Sequence, residues 1–275
     1  MEFIKDPQNF DQHFLIDDKI INEFINVANV LPTDEVLEIG PGEGVLTKLI
    51  AKKAKKVTCV ELDQRLKLAL EEIVKKNNNV EIIYGNALDV YLPKCDKIIT
   101  SLPYRIIEPF IHKLLKCEFN ELFMIVGNRF AEGVLNKEKN KLSVLTNSFF
   151  RITKFIEILP DSFNPPPRVK SALIKLEPIG YFDLDDEYLM FRLLFNFREK
   201  KVKNNLQESL IKFFDFKNYK LTKKESKKII ENINLNEKLL NKTFETCTNE
   251  DFKELSFIFQ NLQELLHKTK DENSQ

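Results

Sequence analysis

Over the first 130 residues, short β-branched runs alternate with longer stretches whose apolar positions recur every three to four residues. That is the pattern of strands joined by crossover helices. Strands are predicted at Glu35–Ile39, Val57–Glu61, Val80–Tyr84, Lys97–Ser101 and Glu121–Val126, and helices at Val45–Ala54, Gln64–Lys76 and Ile107–Lys116. Strands separated by helices of this length form a parallel, doubly wound sheet. A helix is then expected around Lys141–Phe149. Two late strands, Phe155–Leu159 and Ser171–Glu177, flank a proline-rich segment from Phe163 to Val169 and are expected to form a hairpin at the sheet edge. Beyond Pro178-Ile179-Gly180 the strand-like runs stop, and helical spacing in Leu, Phe, Lys, Glu and Asn takes over. The pattern therefore predicts an α/β domain over residues 1–180 and a small α-helical domain over 181–275.

Composition narrows the class. The chain has 275 residues, 43% of them hydrophobic, enough for a full core. No run approaches the roughly 20 apolar residues of a membrane span, and the start lacks a signal-peptide pattern, so a cytoplasmic protein is expected. Cys59, Cys95, Cys117 and Cys247 are scattered without a C-x-x-C pair, and His13, His112 and His267 are equally dispersed. Neither a metal site nor a Ser-His-Asp triad is predicted. Lys+Arg and Asp+Glu balance at 42 each, but Arg192 to Lys228 holds 12 Lys/Arg against 4 Asp/Glu. Such a run suits either a solvated helix face or a nucleic-acid contact.

The chemistry-bearing residues fall at predicted strand ends. The first strand runs into Glu38-Ile39-Gly40-Pro41-Gly42-Glu43-Gly44, whose glycines let backbone approach a ligand closely. The spacing is G-x-G-x-G, without the extra residue of a dinucleotide fingerprint or the Lys-Ser/Thr of a P-loop, which disfavours NAD and ATP. Strand two ends in Glu61-Leu62-Asp63, placing a carboxylate where ribose hydroxyls can donate to it. Strand three ends in Gly85-Asn86-Ala87-Leu88-Asp89, within reach of an adenine edge. Together these ends describe a nucleoside pocket at the switch point of the sheet.

Strand four ends in Ser101-Leu102-Pro103-Tyr104. An adenine amine is a poor nucleophile because its lone pair is delocalised into the ring. Two acceptors, the Ser101 hydroxyl and the Leu102 carbonyl, can draw its N–H bonds toward tetrahedral geometry. Pro103 stiffens the turn, and Tyr104 offers a ring on which a flipped-out base stacks.

With these motifs in order, the chain resembles the KsgA-type ribosomal RNA adenine dimethyltransferases, relatives of the Erm methyltransferases. The likeness rests on Gln12-His13-Phe14-Leu15, Glu38–Gly44, Glu61, Ser101–Tyr104, Phe163–Val169 with Ser171, and Phe195–Lys201. It implies a Rossmann-like class I fold dependent on S-adenosylmethionine, with a helical RNA-binding domain. By this resemblance Gln12, His13, Leu15, Gly40, Gly42, Glu61, Leu62, Asn86, Ala87 and Ser101 hold the cofactor. The Ser101, Leu102, Pro103, Tyr104 and Phe163 group handles the target base. The implied partner is small-subunit ribosomal RNA in a pre-ribosomal particle, acted on by a monomer without metal or membrane. Ser101 stands where the family usually has Asn, and Asn86 where it usually has Asp. Those departures keep open a catalytically weakened assembly factor, and the shared motifs keep open an Erm-like enzyme of large-subunit RNA.

Overall fold

The computed structural model describes residues 12–233, 235–260 and 262. In chain order its elements are β1 (Phe14–Leu15), α1 (Asp18–Ala28), β2 (Glu35–Ile39), α2 (Val45–Ala51), β3 (Lys56–Glu61), α3 (Lys67–Lys76), β4 (Val80–Tyr84), β5 (Lys97–Ser101), α4 (Ile107–Leu114), β6 (Glu121–Gly127), α5 (Asn128–Leu135), α6 (Lys141–Phe149), β7 (Phe150–Ile158), β8 (Phe163–Asn164), β9 (Ser171–Pro178), α7 (Asp186–Phe195), α8 (Val202–Phe216), α9 (Lys223–Asn232), α10 (Glu237–Asn241) and α11 (Asn249–Gln260).

Seven strands form one sheet in the order β4-β3-β2-β5-β6-β9-β7. The pairs from β4 through β6 are parallel, and β9 runs antiparallel to β6. The central strands β2 and β6 are buried along almost their whole length, as parallel strands covered on both faces must be. The chain winds from β2 outward through β3 to β4, then returns to place β5 on the other side of β2. The order thus reverses beside β2, which opens a crevice above its carboxyl end. Strand ends there are tied together: Gly40 N–H donates to Val60 O at 2.9 Å, Gly85 N–H to Glu61 O at 2.8 Å, and the Thr100 hydroxyl to Ile39 O at 2.9 Å.

By internal packing the chain divides into two compact units, Met1–Leu135 with Arg151–Pro178, and Asn136–Phe150 with Ile179–Gln275. A single cut after residue 180 therefore misses one exchange: α6 packs with the helical unit, against α7 and α11. Its Phe149 ring meets Phe195 at 6.2 Å and the Arg192 guanidinium at 4.9 Å, and Lys141 N–H donates to Asn249 Oδ1 at 3.0 Å. A nine-residue helix has little stability alone, so partners distant in sequence decide where it sits. Phenylalanines dominate that unit's core, with Phe195 against Phe244 at 5.2 Å and Phe191 against Phe252 at 5.7 Å.

The two late strands lie side by side with β7 at the edge, as expected, but β7 starts at Phe150 rather than Phe155. Their connection carries β8, which pairs antiparallel with β1 in the register Phe14 to Asn164 and Leu15 to Phe163.

Candidate active site

A cavity of about 380 Å³ lies in the crevice above the switch point. Every residue expected to bind cofactor or base lines it: Gln12, His13 and Leu15 before α1, Gly40 and Gly42 after β2, Glu61 and Leu62 at β3, Asn86 and Ala87 after β4, Ser101 to Tyr104 at β5, and Phe163 on β8. The volume is that of a small-molecule site.

The glycine turn after β2 takes backbone angles closed to most side chains. Gly40 and Gly42 have φ of 68° and 59°, and a Cβ on Gly42 would stand 3.1 Å from two ring carbons of Phe14. The turn can therefore lie against β1 only because that position carries no side chain. Glu61 is buried at the end of β3, where its Oε2 accepts from Gly42 N–H at 3.1 Å and its Oε1 from Asp63 N–H at 2.7 Å. Burial pushes the Glu61 carboxyl up, and those backbone donors pull it back. Each carboxylate oxygen keeps further acceptor capacity, so the pair can still take two hydroxyl donors from a ribose.

Glu38 sits deeper, 2% exposed, with its Oε2 accepting from the Thr47 hydroxyl at 2.6 Å and the Cys59 thiol at 3.6 Å. Burial raises its carboxyl to about 7, against the lowering effect of both bonds. Asp63 lies beside the site and is held below the usual carboxylate range, first by Arg65, whose Nε and guanidinium nitrogen donate at 2.8 and 2.6 Å. Gln12 adds a smaller hydrogen bond to the same carboxylate.

Asn86 closes its own loop. Its Oδ1 accepts from Leu88 N–H at 3.1 Å and its amide donates to Asp89 Oδ2 at 2.8 Å. The side chain is thus a turn former as well as a pocket wall. Gly40, across from β5, would bring a Cβ within 3.7 Å of the Leu102 side chain, so the glycine turn and the Ser101–Tyr104 segment face each other at close range. Tyr104 opens a single 3₁₀ turn over Tyr104–Ile106.

A second wall comes from chain ends far apart in sequence. Besides the β1–β8 pairing, Ile16 N–H donates to Ser162 O at 2.9 Å, the His13 Nδ1 position donates to Pro165 O at 2.7 Å, and the Ser162 hydroxyl donates to Asp17 Oδ2 at 3.1 Å. Asp17 also caps α1 by accepting from Lys19 N–H at 2.9 Å. Arg105, Ile106, Val45, Leu46 and Ile125 line the cavity without having been singled out from the sequence. Arg105 and Ile106 lie in the 3₁₀ turn after β5, Val45 and Leu46 open α2, and Ile125 is in buried β6, and none has a residue type or spacing that marks a site. Among the described residues no cluster of three or more His, Cys, Asp or Glu could hold a metal ion, and no helix is long and apolar enough to cross a membrane.

A sheet of this order, with a nucleoside-sized cavity over its switch point and a strand end reaching into it, is the class I methyltransferase fold. Comparison with known proteins sharpens that class. The family model described as ribosomal RNA adenine dimethylase matches residues 5–249, and the chain belongs to that family. The probable ribosomal RNA small subunit methyltransferase A of Methanococcus aeolicus is 38% identical over 209 residues, covering 72% of this chain and 77% of the relative. Its namesake in Methanosarcina barkeri is 34% identical over 255 residues, or 90% and 85%. Among solved structures, a dimethyladenosine transferase from Plasmodium falciparum superposes with a TM-score of 0.61 at 26% identity, covering 90% of this chain and 98% of that one. The 23S rRNA methyltransferase ErmE superposes at 0.57 and 23% identity over 90% and 99%, a likeness of fold.

Proposed function

We propose that this protein dimethylates two neighbouring adenines near the 3′ end of small-subunit ribosomal RNA, using S-adenosylmethionine, while the subunit is being assembled in the cytoplasm. One observation carries the reading: Glu61, the glycine turn and the Ser101–Tyr104 segment open into a single cavity. When bound, the cofactor supplies an electrophilic methyl group on a sulfonium. Glu61 accepts from its ribose, Leu62, Asn86 and Ala87 flank its adenine, and Gly40, Gly42, Gln12, His13 and Leu15 surround its methionine end. The Ser101 hydroxyl and the Leu102 carbonyl accept from the two N–H bonds of the target amine, turning the nitrogen lone pair toward the methyl. Tyr104 and Phe163 sandwich the flipped base, with Pro103 fixing the turn between acceptors and ring. Positioning supplies most of the catalysis, and no strong base is required.

The helical unit suits a grip on RNA. Lys220, Lys223, Lys224 and Lys227 are exposed on and before α9, and phosphate contacts of this kind weaken as salt rises. Relatives at 34 and 38% identity that carry a small-subunit name favour that subunit over the large one. The catalytically weakened alternative rests on Ser101 and Asn86, and tight subunit binding without turnover, with activity gained on Ser101→Asn, would favour it. The test is transfer of labelled methyl from S-adenosylmethionine to unmodified small and large subunits side by side. Labelling of the small subunit alone is expected. Labelling of the large subunit alone, or of neither by folded protein that binds cofactor, overturns the assignment.

A further inference from the structure

The Tyr104 ring has a seat built by two residues to which neither the motifs nor the resemblance gives a task. Gly127 closes β6 and Ser171 opens β9, and the two stand directly opposite one another in the antiparallel register. The phenol oxygen of Tyr104 shares a hydrogen bond with the Ser171 hydroxyl, and Ser171 is fully buried. Below the ring, a Cβ built on Gly127 would stand 3.3 Å from Tyr104 Cδ2 and 3.6 Å from Cε2 and Cγ. The ring therefore lies flat on the Gly127 backbone. This glycine is not among those with positive φ, so the requirement is for space rather than for backbone freedom.

We propose that Ser171 and Gly127 are positioning residues that set the plane of the Tyr104 ring and hence the height at which the target adenine stacks. The inference rests on the proposed role of Tyr104 as a stacking surface. A ring anchored only at Cα can swing about two torsions. With its far end bonded to Ser171 and its face against Gly127, both torsions are fixed before any base arrives, as a site that works by positioning requires. A methyl at 127 forces the ring to give by a few tenths of an ångström, and Tyr104 lines the cavity, so the shift is felt in the site.

The test is a set of variants assayed for kcat, for KM toward RNA and for affinity toward the cofactor product. Ser171→Ala and Tyr104→Phe each delete the same hydrogen bond, so each lowers kcat by about 3- to 10-fold, the worth of one such bond. The double variant is no worse than either single one, because the two changes remove one interaction. Gly127→Ala lowers kcat by a similar factor, while product affinity stays within about twofold throughout, a split that a general loss of stability does not give. If Ser171→Ala fails to fold, Tyr104→Phe reports on the same bond from the cavity side. Unchanged kcat in Tyr104→Phe, or effects that multiply in the double variant, overturn the seat. Tyr104→Ala separates this from the underlying role: it lowers kcat by about 5- to 150-fold if the ring stacks a base, and unchanged turnover there refutes the stacking role itself.

Discussion

The cavity has two walls made in different ways. One is a row of strand ends, β2, β3, β4 and β5, whose turns carry the glycines, Glu61, Asn86 and Ser101–Tyr104. Each turn is fixed by the strand behind it, and neighbouring ends are bonded to one another. The other wall is the β1–β8 pair, two residues against two, held by contacts such as His13 to Pro165 between positions 152 residues apart. A buried parallel sheet is rigid, whereas a two-residue ladder owes its place to the side chains around it. On the proposed function, the strand-end wall would supply fixed recognition groups and the short wall would complete the pocket around them.

The largest effect that would break this division comes from Glu61→Ala. Removing two acceptors for ribose hydroxyls costs on the order of 2–4 kcal/mol, so affinity for the cofactor product should fall roughly 30- to 1,000-fold by calorimetry. A loss below about fivefold would mean that the strand-end wall does not anchor the nucleoside.

Gly42→Ala sharpens the comparison, because this position joins the walls. Its φ of 59° and the 3.1 Å approach to Phe14 both oppose a side chain, at about 1–2 kcal/mol. A fall in Tm of about 2–8 °C is expected, with weaker cofactor binding. Unchanged Tm would show that the turn and β1 move apart freely.

The smallest effect concerns Glu38, the buried carboxyl beneath the strand-end wall. Its pKa is raised from 4.5 to about 7 in the folded protein, so between those values the folded state holds more of a proton than the unfolded one. Stability from this group is complete below pH 4.5 and is lost as pH rises through about 7. Glu38→Gln should remove that slope. Denaturant midpoints of the two proteins, compared from pH 5 to 8, should diverge in favour of the variant as pH rises toward 7 and then run parallel. A difference that does not vary with pH would place the titration elsewhere.

The two walls were not equally legible in the sequence. Strands β2, β4 and β5 fall on the residues that their alternation with helices predicts, and β3 and β6 each differ by one residue. Since ligands collect at such strand ends, Glu61 and Ser101–Tyr104 could be placed together before any coordinates. The short wall has no comparable signal. Residues Phe14–Leu15 and Phe163–Asn164 are too few for a periodicity, and only the resemblance put Gln12, His13, Leu15 and Phe163 beside the site. Helix α6 shows the same limit from the other side: its span was legible, but Phe149 meets Phe195 and Asn249 meets Lys141 through contacts that no local pattern encodes. Asn86 kept both of its readings, because an amide that closes a turn can also line a pocket.

The most direct test of the account is the nucleoside produced. Small ribosomal subunits lacking the modification are incubated with this protein and S-adenosylmethionine, and the RNA is digested for mass spectrometry. Appearance of N6,N6-dimethyladenosine, formed more slowly by Tyr104→Ala, is the predicted result. Absence of any methylated adenine from folded protein that binds the cofactor would contradict it.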